Sequence, residues 1–208
     1  TEQYDQVFAG TNEAFSEIWW FYCPSGSTTA SRYVIYNYAQ NIWYYGNISR
    51  TAWIDSGIRD FPLAATYNNN IVNHEDGIDD NETGTNAGIS SFITSAQFDL
   101  DDGHRFAFIQ KVYPDVTFDG STAESPTATL SLFAAQNSGS GRNSPASEGG
   151  TNTGSITRTA TAPIEAFTSR LDLRVRGRQL ALKIESSESG VKWQLGSPRL
   201  ELRPDGRR

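Results

Sequence analysis

Apolar and polar positions alternate along most of this chain with the period of two that marks β-strands, and no stretch holds the 3.6-residue period of a helix beyond a turn. The densest such region covers residues 17–47. It reads E-I-W-W-F-Y-C-P, a small-residue loop, R-Y-V-I-Y-N-Y, a short turn, then I-W-Y-Y-G-N. Aromatic and β-branched residues fit a pleated, half-buried surface. The pattern predicts three antiparallel strands over 18–22, 32–38 and 42–47, a meander of the kind a β-propeller repeats as its blade. A further strand is expected around 6–9. Downstream, F-P-L-A-A-T-Y, N-N-N and I-V-N-H-E predict a hairpin, because asparagine accepts the left-handed conformation of a tight turn.

Residues 76–88, D-G-I-D-D-N-E-T-G-T-N-A-G, read as an acidic, glycine-rich linker. It divides propeller-blade-like meanders in 1–75 from a second domain in 89–208. There the pattern predicts strands over 89–100, 105–118 with a bend at Pro114, 127–136, 155–160, 170–177, 179–186, 191–195 and 198–203. One short helical turn is expected near 164–168. Residues 137–153 are almost wholly small and polar and read as a mobile surface loop. The fold class is therefore all-β: partial propeller blades followed by a jelly-roll-like β-sandwich.

Composition changes the picture at three points. No run approaches the ~18 apolar residues of a membrane-spanning helix, so no membrane insertion by this chain is expected. The chain starts at Thr1 and contains no methionine, which reads as the C-terminal part of a longer polypeptide, with further blades upstream. Charge is uneven. Residues 1–104 hold 14 acids and 3 bases, and residues 105–208 hold 10 acids and 14 bases, so a half of net −11 precedes a half of net +4. Two such halves suit head-to-tail association or two different partners.

Candidate chemistry is sparse. His74 and His104 lie far apart in sequence without an H-E-x-x-H pattern. Cys23 is the single cysteine, so it forms neither a disulfide within the chain nor a Cys-rich zinc site, and it reads as a small buried hydrophobe. No nucleophile elbow or P-loop is present. Asp76, Asp79, Asp80 and Glu82 offer oxygen ligands of the kind calcium takes, but their spacing departs from the EF-hand loop, and a solvated acidic loop is the favoured reading. Asp99, Asp101 and Asp102 form a second acidic cluster in which 101–103 reads as a hairpin turn, not as the facing carboxylate pair of a glycosidase. No cofactor and no enzymatic activity are expected. Trp19, Trp43 and Tyr45 are candidates for stacking on a sugar, against a reading in which they pack between blades. Arg170, Arg174, Arg176, Arg178, Lys183, Lys192, Arg199, Arg203, Arg207 and Arg208 are interleaved with acids that would repel phosphate. Subunit contact is the favoured use, with Arg174, Arg176, Arg178, Arg207 and Arg208 as interface candidates.

Ordered blocks give the chain a resemblance. E-I-W-W-F-Y-C-P-S, R-Y-V-I-Y-N-Y and I-W-Y-Y-G are followed by R-T-A-W-I-D-S-G, N-H-E-D-G-I-D-D, R-L-D-L-R-V-R-G-R-Q-L-A-L-K-I-E-S, W-Q-L-G-S-P-R-L and R-P-D-G-R-R. Together they resemble the C-terminal part of tail hub or nozzle proteins of tailed bacteriophages, the packaged-DNA stabilisation type. The resemblance implies a non-enzymatic virion protein, assembled in the host cytoplasm as a homo-oligomeric ring, typically of six. The ring would continue and close the DNA channel below the portal and adaptor. Its partners would be those proteins, a tail fibre or needle, and DNA passing without sequence-specific contact. Family members are much longer than this chain and carry no catalytic residues to transfer. The alternative is a glycan-binding receptor or adhesin module. A fragment of a polysaccharide hydrolase or lyase is the third and least favoured reading.

Overall fold

A computed structural model describes residues 3–99, 104–135 and 156–206. The described chain is all-β. Its strands are arranged in antiparallel sheets, and its only helical segments are two 3-10 turns at Gln3–Gln6 and Glu13–Phe15. No described helix is long and apolar enough to cross a membrane. The chain forms two units: residues 1–77 with 82–84, and residues 78–81 with 85–208.

The first unit is built on a four-stranded meander, β1 (Phe8–Asn12), β2 (Glu17–Tyr22), β3 (Arg32–Asn37) and β4 (Ile42–Asn47), in that spatial order. The expected strand near 6–9 begins later, at Phe8, because the 3-10 turn takes up Gln3–Gln6. The sheet has two unlike faces. Phe8, Trp19, Phe21, Tyr33 and Ile35 share the inner one by register, with Phe21 fully buried and Trp19 and Ile35 nearly so. A second antiparallel sheet follows: β5 (Ala52–Ile54), β6 (Leu63–Ala65) and β7 (Ile71–Asn73). Its Trp53 packs with the inner-face cluster, and Asn69 takes the positive φ of 60° that the N-N-N turn requires.

The acidic segment is not the free linker its composition predicts. β8 (Asp79–Asp80) and β9 (Ala87–Gly88) pair as a small hairpin. Asp79 holds it to its unit by accepting hydrogen bonds from the Ser189 hydroxyl at 2.9 Å and the Gly190 N–H at 2.6 Å.

The second unit centres on β14 (Thr127–Ala135) and β17 (Gln179–Ser186), long antiparallel neighbours. Outside them run β10 (Ser91–Thr94), β11 (Phe98–Asp99) and β15 (Ile156–Glu165). A three-stranded sheet, β16 (Val175–Gly177), β12 (Ala107–Tyr113) and β19 (Arg199–Pro204), shares the same core, and β13 (Val116–Thr117) pairs β18 (Gln194–Leu195). Leu130, Leu132, Ile164, Leu180 and Ile184 from one sheet and Ile109, Val112 and Val175 from the other form one buried cluster.

Several expected strands are shorter than their pattern. The strand over 89–100 breaks into β10 and β11, and the one over 105–118 breaks at Pro114 and Asp115, whose φ is +50°. Leu171 and Leu173 alternate like strand residues, yet Leu171 makes only an isolated bridge to Val112 and the ladder begins at Val175. The helical turn expected near 164–168 is instead the end of β15 and a turn closed by the Thr168 N–H on the Glu165 carbonyl. The low-complexity loop of 137–153 lies outside the described residues.

Candidate interaction surfaces

The two faces of the meander separate the three aromatic candidates. On the inner face Trp19 is a core residue. It stacks on Trp53 at 5.0 Å, touches Tyr33 at 5.0 Å, and meets the edge-on ring of His74 at 6.2 Å. Trp53 lies over Gly10, where a Cβ would stand 2.2 Å from the indole, so only glycine admits the ring. The Trp53 indole N–H donates to the Thr11 carbonyl at 2.8 Å. Trp19 is therefore closed to a sugar.

Trp43 and Tyr45 point the other way. By register they share the outer face with Ile18, Trp20, Val34 and Tyr36. Trp43 stacks on Trp20 at 5.9 Å and tilts against Tyr36 at 4.6 Å, while the Tyr36 hydroxyl donates to Asn41 at 3.0 Å. Trp43 is 61% exposed and Tyr45 52%. Among the described residues nothing covers this outer side of β4, whereas Trp19 is packed. The result is an aromatic platform with an amide at its rim.

At the other side of the sheet a polar cluster joins His74 and Glu82, named separately in the sequence, to Arg50, which was not. Arg50 is 4% exposed. Its Nε donates to His74 Nε2 at 2.8 Å, and its terminal nitrogen reaches the Ser49 carbonyl at 2.7 Å and Glu82 at 2.8 Å. Accepting that bond at Nε2 places the ring proton of His74 on Nδ1. Nearby, burial pushes the Glu17 carboxyl up, partly offset by the Trp19 indole N–H that donates to it at 3.0 Å. Burial also raises Glu75, and the Glu17 charge raises it further. Tyr33 is raised by burial and then by both carboxylates. The hint to Arg50 in the sequence was its rarity, as one of only three bases in residues 1–104.

The acidic candidates are not brought together. Asp76 accepts from the Asn73 amide at 3.0 Å, Asp79 caps the Ser189–Gly190 turn, and Glu82 pairs with Arg50. Among the described residues no group of three or more histidine, cysteine or acidic side chains is placed to hold a metal ion. Asp99 is in β11, and Asp101 and Asp102 lie outside the described residues.

The arginine candidates divide as well. Arg176 and Arg178 both lie over the Phe106 ring, 4.0 Å and 5.0 Å from its centre, and Arg176 also pairs with Asp205. Both are half-buried within their own unit. Arg174 is exposed, as are Arg199 and Arg203 along β19. Arg207 and Arg208 lie outside the described residues. No protein-family model matches the chain, and no curated protein matches it significantly.

Proposed function

We propose that the chain is a non-enzymatic structural subunit of a phage tail hub or nozzle. In this reading it is assembled head to tail in a ring, hexameric by resemblance, that extends and closes the DNA channel below the portal and adaptor. The observation that carries the reading is the division of charge between the two units. The first unit holds nine acids against three bases, a net of −6, and one of those bases, Arg50, is enclosed by its bonds to Glu82 and His74. The second unit holds 15 acids and 14 bases and is near neutral as a whole, but it exposes Arg174, Arg199 and Arg203. A head-to-tail ring needs two different, complementary patches on each subunit, and this pair meets that need. The sequence blocks that carry the resemblance also form framework: β2, β3, β4 and the Trp53 stack in one unit, β16 and β17 in the other. A rigid wall needs such residues more than it needs a cleft. The four-stranded meander has the strand count of one propeller blade, in keeping with the same reading.

The test is assembly state by mass photometry and negative-stain electron microscopy. Rings are expected at about 0.15 M salt and should dissociate near 1 M, where the screening length falls to roughly 3 Å. A chain that stays monomeric at low salt sinks the reading.

A glycan-binding module is the second reading, and the outward Trp43 platform favours it. A glycan array would show binding that Trp43→Ala removes; an array with no binding above background dismisses it.

A further inference from the structure

One proton on His74 decides whether Arg50 keeps its place. The Arg50 guanidinium stays charged in a protein and carries donors only. Its Nε donates to His74 Nε2 at 2.8 Å, so that nitrogen must offer a lone pair. A second proton on the ring goes to Nε2, setting an N–H against an N–H and a cation against a cation. Neither backbone is free to slide apart. The Arg50 N–H donates to the Ala30 carbonyl at 3.1 Å, and the His74 N–H donates to the Pro62 carbonyl at 2.8 Å. The two side chains differ in freedom. The His74 ring is packed 4.7 Å from the Trp53 ring and 6.2 Å from that of Trp19, whereas Arg50 has a long unbranched stem. Arg50 is therefore the group that moves. What it holds is the loop of the β8–β9 hairpin. Glu82 accepts from Arg50 at 2.8 Å. Two further ties are longer and exposed: the Asn68 amide to the Glu82 carboxylate at 3.3 Å, and the Asn70 amide to the Glu82 carbonyl at 3.4 Å. Residues 82–84 belong to the first unit, with Arg50 and His74.

We infer that His74 is a proton-operated latch: when its ring takes a proton, Arg50 leaves it and residues 82–84 come away from the first unit. The latch is closed above the pH at which the ring is protonated and open below it. The charges around the ring pull in both directions. Arg50 opposes the added proton. Glu82 favours it, as do Glu75, the next residue in the chain, and Glu17, which accepts the indole N–H of Trp19 at 3.0 Å. Asp55 and Asp76 are turned to other partners, Thr11 and Asn73. Tyr33 stays neutral, since burial raises its hydroxyl above an already high 10.0. These groups set where the proton binds. None of them lets Nε2 hold a proton and accept from Arg50 at once. The latch lies within the first unit and does not rest on the ring reading.

The test is hydrogen exchange read by mass spectrometry on the 208-residue chain, for peptides covering 78–88. It is run in steps from about pH 8 to about pH 5, with each rate divided by the intrinsic rate at that pH. Protection at 82–84 is expected to fall about tenfold or more on acidification. His74→Gln puts an amide oxygen, which accepts at any of these pH values, in the place of Nε2, and should keep its protection throughout. A second arm leaves the latch unaltered. The chain has two histidines, so in His104→Gln the ring signals seen by NMR belong to His74 alone. They should titrate with the same midpoint as the exchange at 82–84. This arm decides the matter by itself if His74→Gln fails to fold. Wild-type protection that is equal at both ends of the range overturns the inference. So does a His74→Gln variant that loses protection as the wild type does. A ring that titrates while the loop stays closed, or a loop that opens while the ring stays neutral, overturns it as well. A chain that opens at 82–84 but never forms rings sinks the ring reading and leaves the latch in place.

Discussion

Glu17 and Tyr33, both half-buried, and Glu75, exposed as a residue but with a carboxyl that the protein desolvates, give the first unit a pH dependence. Burial raises both carboxyls above their ordinary 4.5, and each Glu opposes the ionisation of Tyr33. A carboxyl raised in the folded state binds more protons there than in the unfolded chain. Its contribution to stability is complete below about pH 4.5 and is lost as pH rises through the folded values. Asp55 runs the other way. Partial burial raises it, but bonds from the Thr11 hydroxyl and the Ser56 and Glu13 N–H groups outweigh that and hold it below its usual 3.8. Its contribution is present at neutral pH and lost on acidification. Replacing Glu75 by Gln should therefore raise the unfolding midpoint at pH 8 and leave it nearly unchanged at pH 4. Urea titrations followed by tryptophan fluorescence at the two pH values measure the difference. An equal effect at both would mean that Glu75 acts through packing and not through charge. Adjacent residues also show why the sequence could name aromatics without sorting them. Trp19 and Trp20 are the same residue type one position apart, and which one faces the core depends on Trp53, a residue of another sheet.

At the scale of elements, strands whose partners lie next to them in sequence were legible. β2, β3 and β4 follow directly from short aromatic runs divided by turns, and β17 occupies 179–186, the span its Leu180–Leu182–Ile184 alternation predicts. What failed to read were elements held by distant partners. Leu173 is buried and alternates with Leu171, but the backbone beside it has no ladder to join until Val175. The acidic segment looked like a linker because Asp79 and Ser189 are 110 residues apart. Gly88 shows how tightly that hairpin is placed. A Cβ there would fall 2.2 Å from the Ser187 carbonyl oxygen and 2.5 Å from the Glu188 carbonyl carbon. Those are backbone atoms, so no rotamer change relieves the contact. Gly88→Ala should destabilise the second unit by about 2 kcal/mol or more, whereas Gly84→Ala, with no atom within 4 Å but a φ of +79°, should cost only about 1 kcal/mol through backbone strain. Thermal melts of the two variants separate these values. Equal losses would mean that the β8–β9 hairpin contributes little.

At the scale of the whole molecule, each unit closes its own core, and the probes divide the same way. Trp19, Trp20, Trp43 and Trp53 belong to the first unit and only Trp193 to the second, so indole fluorescence reports mainly on the meander while far-ultraviolet circular dichroism reports on both. Leu132 is fully buried in the second core, and truncation to Ala leaves a cavity worth about 2–5 kcal/mol. Gly10→Ala instead forces a methyl into the Trp53 indole, a crowding cost of about 1–3 kcal/mol in the first core. Leu132→Ala should thus shift a circular dichroism transition and leave the main fluorescence transition in place, and Gly10→Ala should shift the fluorescence transition. Both probes moving together for both variants would mean that the chain unfolds as one cooperative body.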